Sequence, residues 1–173
     1  AGLDRDPTLY AGYTDAIPHL LQEEPEAFID NVIFNDGGKL KPLLTAPYTF
    51  ANAELATFYG LAAPAGEGFA QVATNAAQRK GLLTQGSLLA LQSKPQQTSP
   101  VHRGKFVRES LLCQFLPPPP ANLVITPPEL NPSLTTRQRF AQHSAEPACA
   151  ACHEQMDPVG LGFEHFDAVG RWR

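Results

Sequence analysis

The sequence predicts a mainly α fold in which short helices are joined by long loops rich in proline and glycine. Hydrophobic residues make up 43% of the 173-residue chain, which is enough for a packed core. Apolar residues recur at helical spacing in several stretches of the chain. The 17 prolines and 13 glycines exclude long uninterrupted helices over much of its length.

The first 64 residues have the pattern of a helical segment. Leu21, Phe28 and Val32 recur at helical spacing and are expected to form its buried face. Pro25 fits the first position of a helix better than its interior, so we predict two helices that meet there.

The next helix has residues typical of a cap at each end. Thr49 or Asn52 supplies its N-cap, and Gly60 ends it in the left-handed conformation. Residues 60–80 then form a connection with at most a short strand around residues 69–72.

Two further helices are predicted after this connection. The stretch 81–93 is dense in leucine and predicts a buried helix in which Gly86 permits close packing. In the following helix Ser99 is the N-cap and Pro100 the first residue. Its buried stripe is expected to consist of Gly104, Val107, Leu111 and Phe115.

Proline dominates the next segment, since nine of the 17 prolines lie between Pro95 and Pro132. The run from Pro117 to Pro120 predicts extended polyproline II. We expect residues 117–132 to form a strap that wraps their own domain, and a proline-rich ligand for a partner protein is the alternative.

Two helices are predicted near the C-terminus, before an irregular end. Ser133 or Thr135 caps the first, which runs through His143, and Pro147 begins the second. The residues from 157 onward are expected to be irregular or extended. Two aspartates are expected to fix turns there, Asp157 and Asp167.

Charge and hydropathy exclude two classes of function. The chain has 13 lysines and arginines against 17 aspartates and glutamates, and its basic residues are scattered singly, so we expect no nucleic-acid binding. No stretch reaches the roughly 18 to 20 consecutive apolar residues of a membrane-spanning helix. The N-terminus lacks the regions of a signal peptide, so we expect any export signal to have been removed or to lie upstream.

Residues 149–153 carry the motif with the clearest chemistry, Cys-Ala-Ala-Cys-His. This C-x-x-C-H arrangement is typical of covalent haem c attachment. On one helical turn, Cys149 and Cys152 can meet the two vinyl-derived carbons of one porphyrin as thioethers, and His153 is then the proximal iron ligand. Haem c is attached in exported proteins, so the motif predicts a periplasmic or extracellular location.

Two alternatives to haem are compatible with this motif. Cys149 and Cys152 can form a local disulfide, or they can be half of a zinc site that His143, His153 or His165 completes.

The residues around the motif resemble a known family. Within residues 79–173, the segments GLLTQGSLLALQSKPQQTSPVHRGKFVRESLLC, PPPP and PACAACHEQMDPVGLGFEHFDAVGRWR are similar to the cytochrome domain of large planctomycete- and myxobacterium-type c-type haem proteins built of domains of unknown function. Upstream, EEPEAFIDNVIF and LLTAPYTFANAELATFYGL resemble the end of the helical domain that precedes it. The resemblance implies a longer exported protein in which a helical segment, residues 1–64, is followed by a c-type cytochrome module, residues 65–173.

The sixth iron ligand must approach from the face opposite His153. Met156, one helical turn further on, is tethered to the same side and is a poor candidate. His143 is the leading candidate, because the loop after it can carry the chain around the haem edge and because the resembling family tends to place a histidine there. The rivals are His102, His165 and His19, and the remaining alternative is an open site.

A haem group also needs donors for its propionates and apolar residues for its faces. Arginine binds a carboxylate at two points, and Arg103 and Arg171 are the best candidates. Phe163, Phe166 and Trp172 follow the motif and are expected to pack on the porphyrin. Ordinary surface charge and the protein core are the alternative roles for these arginines and aromatics.

The sequence therefore predicts an electron-transfer module with one haem c, which exchanges electrons with a redox partner or with neighbouring domains of the same chain. A peroxidase- or oxidase-like enzyme with an open distal site is one alternative, and a domain stapled by haem or zinc is the other. An electron-transfer domain is favoured over a self-contained enzyme. Cys113 is expected to be a small buried residue, with intermolecular pairing as the alternative.

Overall fold

The computed structural model describes residues 3, 5–6, 8–118, 128–145 and 147–173, without the side chains of residues 142, 143 and 148. This described part is about 46% helical with few strands, so the predicted mainly α class is confirmed. The chain forms two compact units: unit 1 comprises residues 1–96 and 165–173, and unit 2 comprises residues 97–164. Much of the predicted proline-rich strap, residues 119–127, lies outside the described residues.

Unit 1 is built on one long helix, α1, which spans Ile17–Phe34. The predicted core residues Leu21, Phe28 and Val32 are buried, so this expectation is confirmed. The expected break at Pro25 is wrong, because the helix runs through it. Pro25 removes one backbone hydrogen bond. A continuous helix keeps the apolar residues before and after it on one buried face, and that burial outweighs the lost bond.

Two short helices and a two-stranded sheet follow in unit 1. They are α2 (Leu40–Thr45), β1 (Tyr48–Ala51), α3 (Ala53–Phe58) and β2 (Ala70–Ala73). Asn52 caps α3, since its side chain accepts a hydrogen bond from the Leu55 amide, and Gly60 follows with a φ of 70°, as predicted. Thr49 lies in β1 opposite Val72 of β2, which pairs antiparallel with β1 and is the strand expected in this region.

The leucine-rich stretch after the sheet is divided into two short helices, although one helix was expected there. A 3-10 turn spans Leu82–Thr84, and α4 spans Gly86–Leu91. The division falls at Gln85, whose backbone is extended with a ψ of 148°. Gly86 permits close packing, as predicted, because a Cβ there would lie 2.1 Å from the Tyr59 hydroxyl.

A buried carboxyl group connects these elements of unit 1. Glu24 of α1 is fully buried, and it accepts hydrogen bonds from the hydroxyls of Thr49 and Tyr59, each at 2.6 Å. The guanidinium of Arg79 lies 4.0 Å above the Tyr59 ring. Burial raises the pKa of Glu24 above its usual value, and the charge of Arg79 opposes that rise. The chain thus supplies this carboxyl with the donors and the cation that its burial requires.

Unit 2 contains α5, which spans Pro100–Phe106 and continues as a π-helical turn over Val107–Leu111. The cap at Ser99 and the proline at the first position are confirmed. The predicted buried stripe is wrong at its C-terminal end, where Leu111 is 43% and Phe115 82% exposed. A π turn bonds residues five apart instead of four, so it rotates the later side chains off the helical face.

Cys113 follows the π turn with an exposed side chain, so its expected burial is wrong. Its φ of 51° lies in the left-handed region, which few residues other than glycine adopt. The apolar residues Leu112 and Phe115 near this turn are also exposed, at 54% and 82%.

Two more helices complete unit 2, α6 (Thr136–His143) and α7 (Pro147–Leu161). Thr135 caps α6 in a capping box, and α7 begins at the predicted proline. The expected turn at Asp157 is wrong, because α7 continues through it and through Pro158.

The contact between α5 and α7 is a backbone-to-backbone crossing. A Cβ on Gly104 would lie 2.0 Å from the Met156 carbonyl oxygen, and a Cβ on Gly160 would lie 1.8 Å from the Pro100 carbonyl oxygen. Only glycine fits at such distances. On each helix the two contacting residues are four apart and share a face. Because the crossing packs the last turn of α7 against α5, it gives the physical reason that α7 continues past Pro158.

Gly160→Ala is expected to lower the free energy of unfolding by about 3 kcal/mol, the upper end of the cost of overpacking, because the added methyl meets rigid backbone. Gly162→Ala is the matched control, since its Cβ would lie 3.1 Å from the Val159 carbonyl oxygen, at an exposed position. Urea denaturation followed by circular dichroism measures both. Equal losses in the two variants would contradict the crossing.

The raised pKa of Glu24 predicts a pH dependence of stability. The folded chain holds this proton at pH values at which the unfolded chain has released it. The free energy of unfolding therefore falls as the pH rises from the usual pKa of 4.5 toward the raised value. Glu24→Gln should remove this part of the dependence.

Chemical denaturation of both chains from about pH 4 to about pH 8 checks this expectation. The advantage of the unchanged chain over Glu24→Gln should shrink as the pH rises. Glu26→Gln, at an exposed position of the same helix, is the control and should keep the pH dependence of the unchanged chain. A difference between the unchanged chain and Glu24→Gln that is constant with pH would show that Glu24 does not titrate in this range.

Candidate functional site

The motif residues lie at the start of α7, on one face of that helix. Cys152 is three residues after Cys149, and His153 is four residues after it. This spacing groups the three side chains on one side of a helix. All three are half-buried, and both thiols are free. Met156 and Gly160 continue this face toward the crossing with α5. Met156 therefore lies on the same side of α7 as His153. This position agrees with the expectation that Met156 is a poor candidate for the sixth iron ligand, which must approach from the face opposite His153.

His153 is held by a carboxylate on the next turn of α7. Its Nδ1 lies 3.1 Å and 3.0 Å from the two carboxylate oxygens of Asp157. The two side chains are only 14% and 11% exposed. An ionised carboxylate only accepts hydrogen bonds, so Nδ1 carries the proton, and the lone pair of the neutral ring lies on Nε2. Nε2 is therefore the atom through which His153 can bind a metal.

The sequence did not mark Asp157 as part of this site. A signal was present, because Asp157 is four residues after His153 and such residues are neighbours on a helix. That signal applies only if α7 continues past the motif, and Pro158 argued against a continuous helix.

Arg103, a predicted propionate ligand, is buried in unit 2 beside a carboxylate of the chain. Its side chain is 2% exposed, and Nη1 donates to the Glu164 carboxylate at 3.2 Å and to the Phe163 carbonyl at 2.9 Å. Thr98 donates to the other oxygen of Glu164 at 2.7 Å. Arg103 therefore joins α5 to the segment after α7. Its contact with a propionate, and that of the half-buried Phe163 ring with a porphyrin, stay predictions.

The other three predicted cofactor contacts belong to unit 1. Phe166 is buried and meets the Trp172 ring edge-on at 5.2 Å, and the His165 ring stacks on Trp172 at 4.9 Å. Arg171 donates to Asp167 at 2.9 Å. The other oxygen of Asp167 accepts hydrogen bonds from two backbone amides, so the turn predicted there is confirmed. The proposed roles of these residues toward a cofactor stay predictions.

The candidates for a sixth iron ligand are divided between the two units. The side chain of His143, the leading candidate, lies outside the described residues. His102 is half-buried on α5, on the side opposite the glycine crossing. In unit 1, His19 is 76% exposed and lies 2.6 Å from Glu23. His165 is the histidine that stacks on the tryptophan of the same unit.

Arg139 of α6 is a buried cation for which the sequence predicted no role. Its side chain is 8% exposed, and Nη1 donates to the Gln97 side-chain oxygen at 2.7 Å. Its other described acceptors are the Glu129 carbonyl and the Thr136 hydroxyl, both neutral. Within the described ranges, Nε has no hydrogen-bond partner. A carboxylate-bearing ligand would satisfy both the buried charge and the Nε donor.

Two features are absent from the part of the chain that the structure describes. No three His, Cys, Asp or Glu side chains in it are grouped so that they could hold a metal ion. No helix in the same ranges is long and apolar enough to cross a membrane.

The fold and the motif define a mainly helical chain with two thiols and a carboxylate-bound histidine on one helix face. The family model PSCyt3, described as a protein of unknown function (DUF1588), matches residues 79–173, more than half of the chain, and the chain belongs to this family. The model PSD4, a protein of unknown function (DUF1592), matches residues 1–61. Both names suggest planctomycete cytochrome-like proteins, and the predicted resemblance is confirmed to that extent. No curated protein and no solved structure matches the chain.

Proposed function

We propose that the chain is a haem c-binding electron-transfer module of a larger exported protein. The observation that carries the proposal is the start of α7, where two thiols and a carboxylate-bound imidazole share one helix face. This donor set fits haem c, because two of the groups can reach the porphyrin edge while the third reaches its iron. The name of the PSCyt3 family supports the cytochrome class.

Cys149 and Cys152 would attach the group, and His153 would bind its iron through Nε2. Each attachment would add a thiol across a vinyl double bond. A C–S bond would form at one vinyl carbon and the thiol hydrogen would go to the other, so no external oxidant or reductant would be needed. The bound group supplies a one-electron ferric/ferrous couple.

The residues around the motif would bury the group and set its reduction potential. Asp157 fixes the ring nitrogen that His153 offers to iron. Arg103 and Arg139 are the buried arginines of unit 2, and the described acceptors of Arg139 include no carboxylate. Arg139 is therefore the stronger candidate for a propionate. Among the aromatic residues predicted to pack on the porphyrin, Phe163 is the one that lies in this unit, and it would cover part of the porphyrin.

The proposed location is the periplasm or the cell exterior, because haem c is attached to exported proteins. The proposed partners are a redox protein or neighbouring domains of a longer chain. Two family models that match successive parts of the chain, residues 1–61 and 79–173, support a multidomain protein.

Two other functions would use the same residues differently. In a peroxidase- or oxidase-like enzyme the iron position opposite His153 is open, and in a stapled domain the haem or zinc only holds the fold. Low-spin bands in both oxidation states favour electron transfer. A high-spin ferric signal or rapid carbon monoxide binding favours the enzyme. A chain that binds zinc and takes up no haem favours the zinc staple.

The chain expressed with haem-maturation machinery is expected to give the pyridine haemochrome spectrum of haem c. Cys149→Ser should leave one vinyl group conjugated with the ring and shift the α band to longer wavelength, because only one thioether forms. In the double variant Cys149→Ala and Cys152→Ala, no haem should be covalently attached. A denaturing gel stained for haem should therefore show no haem on this chain.

Cys113→Ser is the matched control, because Cys113 is exposed and outside the motif, and this variant should keep the full haem content. A haemochrome spectrum without c-type haem in the unchanged chain would overturn the proposed function.

His143→Ala is expected to convert a low-spin spectrum to a high-spin one, because the iron loses a strong-field imidazole ligand. Optical and electron paramagnetic resonance spectra of the ferric protein measure the change. His19→Ala is the control, since His19 is exposed and paired with Glu23, and its spectrum should stay low-spin. An unchanged spectrum in His143→Ala would contradict this ligand and direct the search to His102 or His165.

A further inference from the structure

We infer that Asp157 is a positioning residue that lowers the reduction potential of the proposed haem by acting through His153. The inference rests on the proposed function, because it concerns the residue proposed to bind the iron. It goes beyond that function because it assigns the Asp157 carboxylate a role in setting the reduction potential of the haem.

The contact between the two side chains is symmetric and largely buried. The distances from His153 Nδ1 to the two carboxylate oxygens of Asp157 differ by only 0.1 Å, at 3.1 Å and 3.0 Å. The single N–H is therefore shared between both oxygens. Both side chains are largely buried, which reduces the screening of the carboxylate charge by water.

The backbone that carries Asp157 is fixed by the crossing with α5. Asp157 follows Met156, whose carbonyl oxygen is one of the atoms against which Gly104 packs. The carboxylate thus stands on a rigid turn of helix, one turn after the histidine. A contact built on a rigid element keeps the imidazole plane in one orientation.

The chemistry of the contact gives the direction of the effect. A carboxylate that accepts the Nδ1 proton draws it partly away from the ring, so the imidazole becomes a stronger electron donor at Nε2. A stronger donor stabilises ferric iron more than ferrous iron. A neutral acceptor polarises the ring less, because hydrogen bonds to ionised groups are roughly twice as strong. The carboxylate of Asp157 therefore favours a lower potential.

The test is a redox titration of the haem-loaded chain and of Asp157→Asn, which keeps an oxygen acceptor but removes the charge. We expect a roughly tenfold loss of preference for ferric over ferrous iron, which is a rise of about 59 mV in midpoint potential for a one-electron couple. Glu154→Gln is the matched control, because Glu154 is exposed on α7 next to His153 and loses the same charge. Its potential should change much less. Equal rises in both variants would overturn the inference, since loss of charge alone would explain them.

Asp157→Glu restores a carboxylate and should return the potential to near that of the unchanged chain. If Asp157→Asn takes up no haem and its potential cannot be measured, the inference is tested by Asp157→Glu instead. Recovery of the haem and of the original potential supports the inference. Loss of haem, or a potential raised by the full tenfold effect, overturns it, because position 157 would then act on folding and not through its charge.

The two proposals fail in different ways. An unchanged chain without a c-type haemochrome overturns the proposed function and this inference together. A normal haemochrome with the same potential in Asp157→Asn as in the unchanged chain overturns the inference alone. A shift in the hyperfine-shifted proton signals of the axial imidazole in Asp157→Asn, absent in Glu154→Gln, is the spectroscopic signature that a purely structural role would not produce.

Discussion

The contact on which the rest of unit 2 depends is the backbone crossing of α5 and α7. Gly104 and Gly160 let the two helices approach so closely that a Cβ at either position would meet a carbonyl oxygen of the other helix, and no larger residue fits there. This contact holds the last turn of α7, so the helix continues through Pro158 in spite of the hydrogen bond that proline removes. The continuation places Asp157 one helical turn after His153. A packing constraint at one end of the helix therefore determines which nitrogen of the histidine the carboxylate contacts nearer the other end.

Unit 1 depends on a different constraint, the burial of Glu24. The donors and the cation around this carboxyl come from distant parts of the chain, and they include Tyr59, Arg79 and the Gly86 amide. Glu24 and Tyr59 lie in the segment that matches PSD4, whereas Arg79 and Gly86 lie in the segment that matches PSCyt3. The two matched segments therefore share one buried polar centre. Neither segment alone would leave Glu24 with its full set of partners, and an unpartnered buried carboxylate is costly.

The residues of the proposed site have different roles and lie on one face of α7. In the proposed function, Cys149 and Cys152 would attach the haem and His153 would bind its iron. Asp157 would supply the charge that orients and polarises this histidine. All four stand on α7, so their relative positions are set by helix geometry and not by loops. Arg139 shows a different principle, because a buried guanidinium whose described acceptors are neutral is suited to bind a carboxylate. A haem with two propionates would supply both the apolar surface and the negative charge for such a unit.

The sequence by itself determined the features that depend on residues within a turn or two of one another. These are the mainly α class, the buried face of α1, the caps Asn52, Ser99 and Thr135, and the grouping of the Cys-Ala-Ala-Cys-His residues on one helix face.

The prediction from the sequence was wrong at Pro25 and Pro158, where a local cost of proline is outweighed by packing against residues far away in the chain. It was also wrong for Leu111, where a π turn shifts the helical phase. Only the tertiary structure decided that Asp157 meets His153 and that Arg103 pairs with Glu164. The first contact requires a helix whose length is set by a crossing with another helix, and the second joins residues 61 positions apart. Short-range patterns in a sequence cannot specify such contacts, because the energies that decide them come from packing between elements.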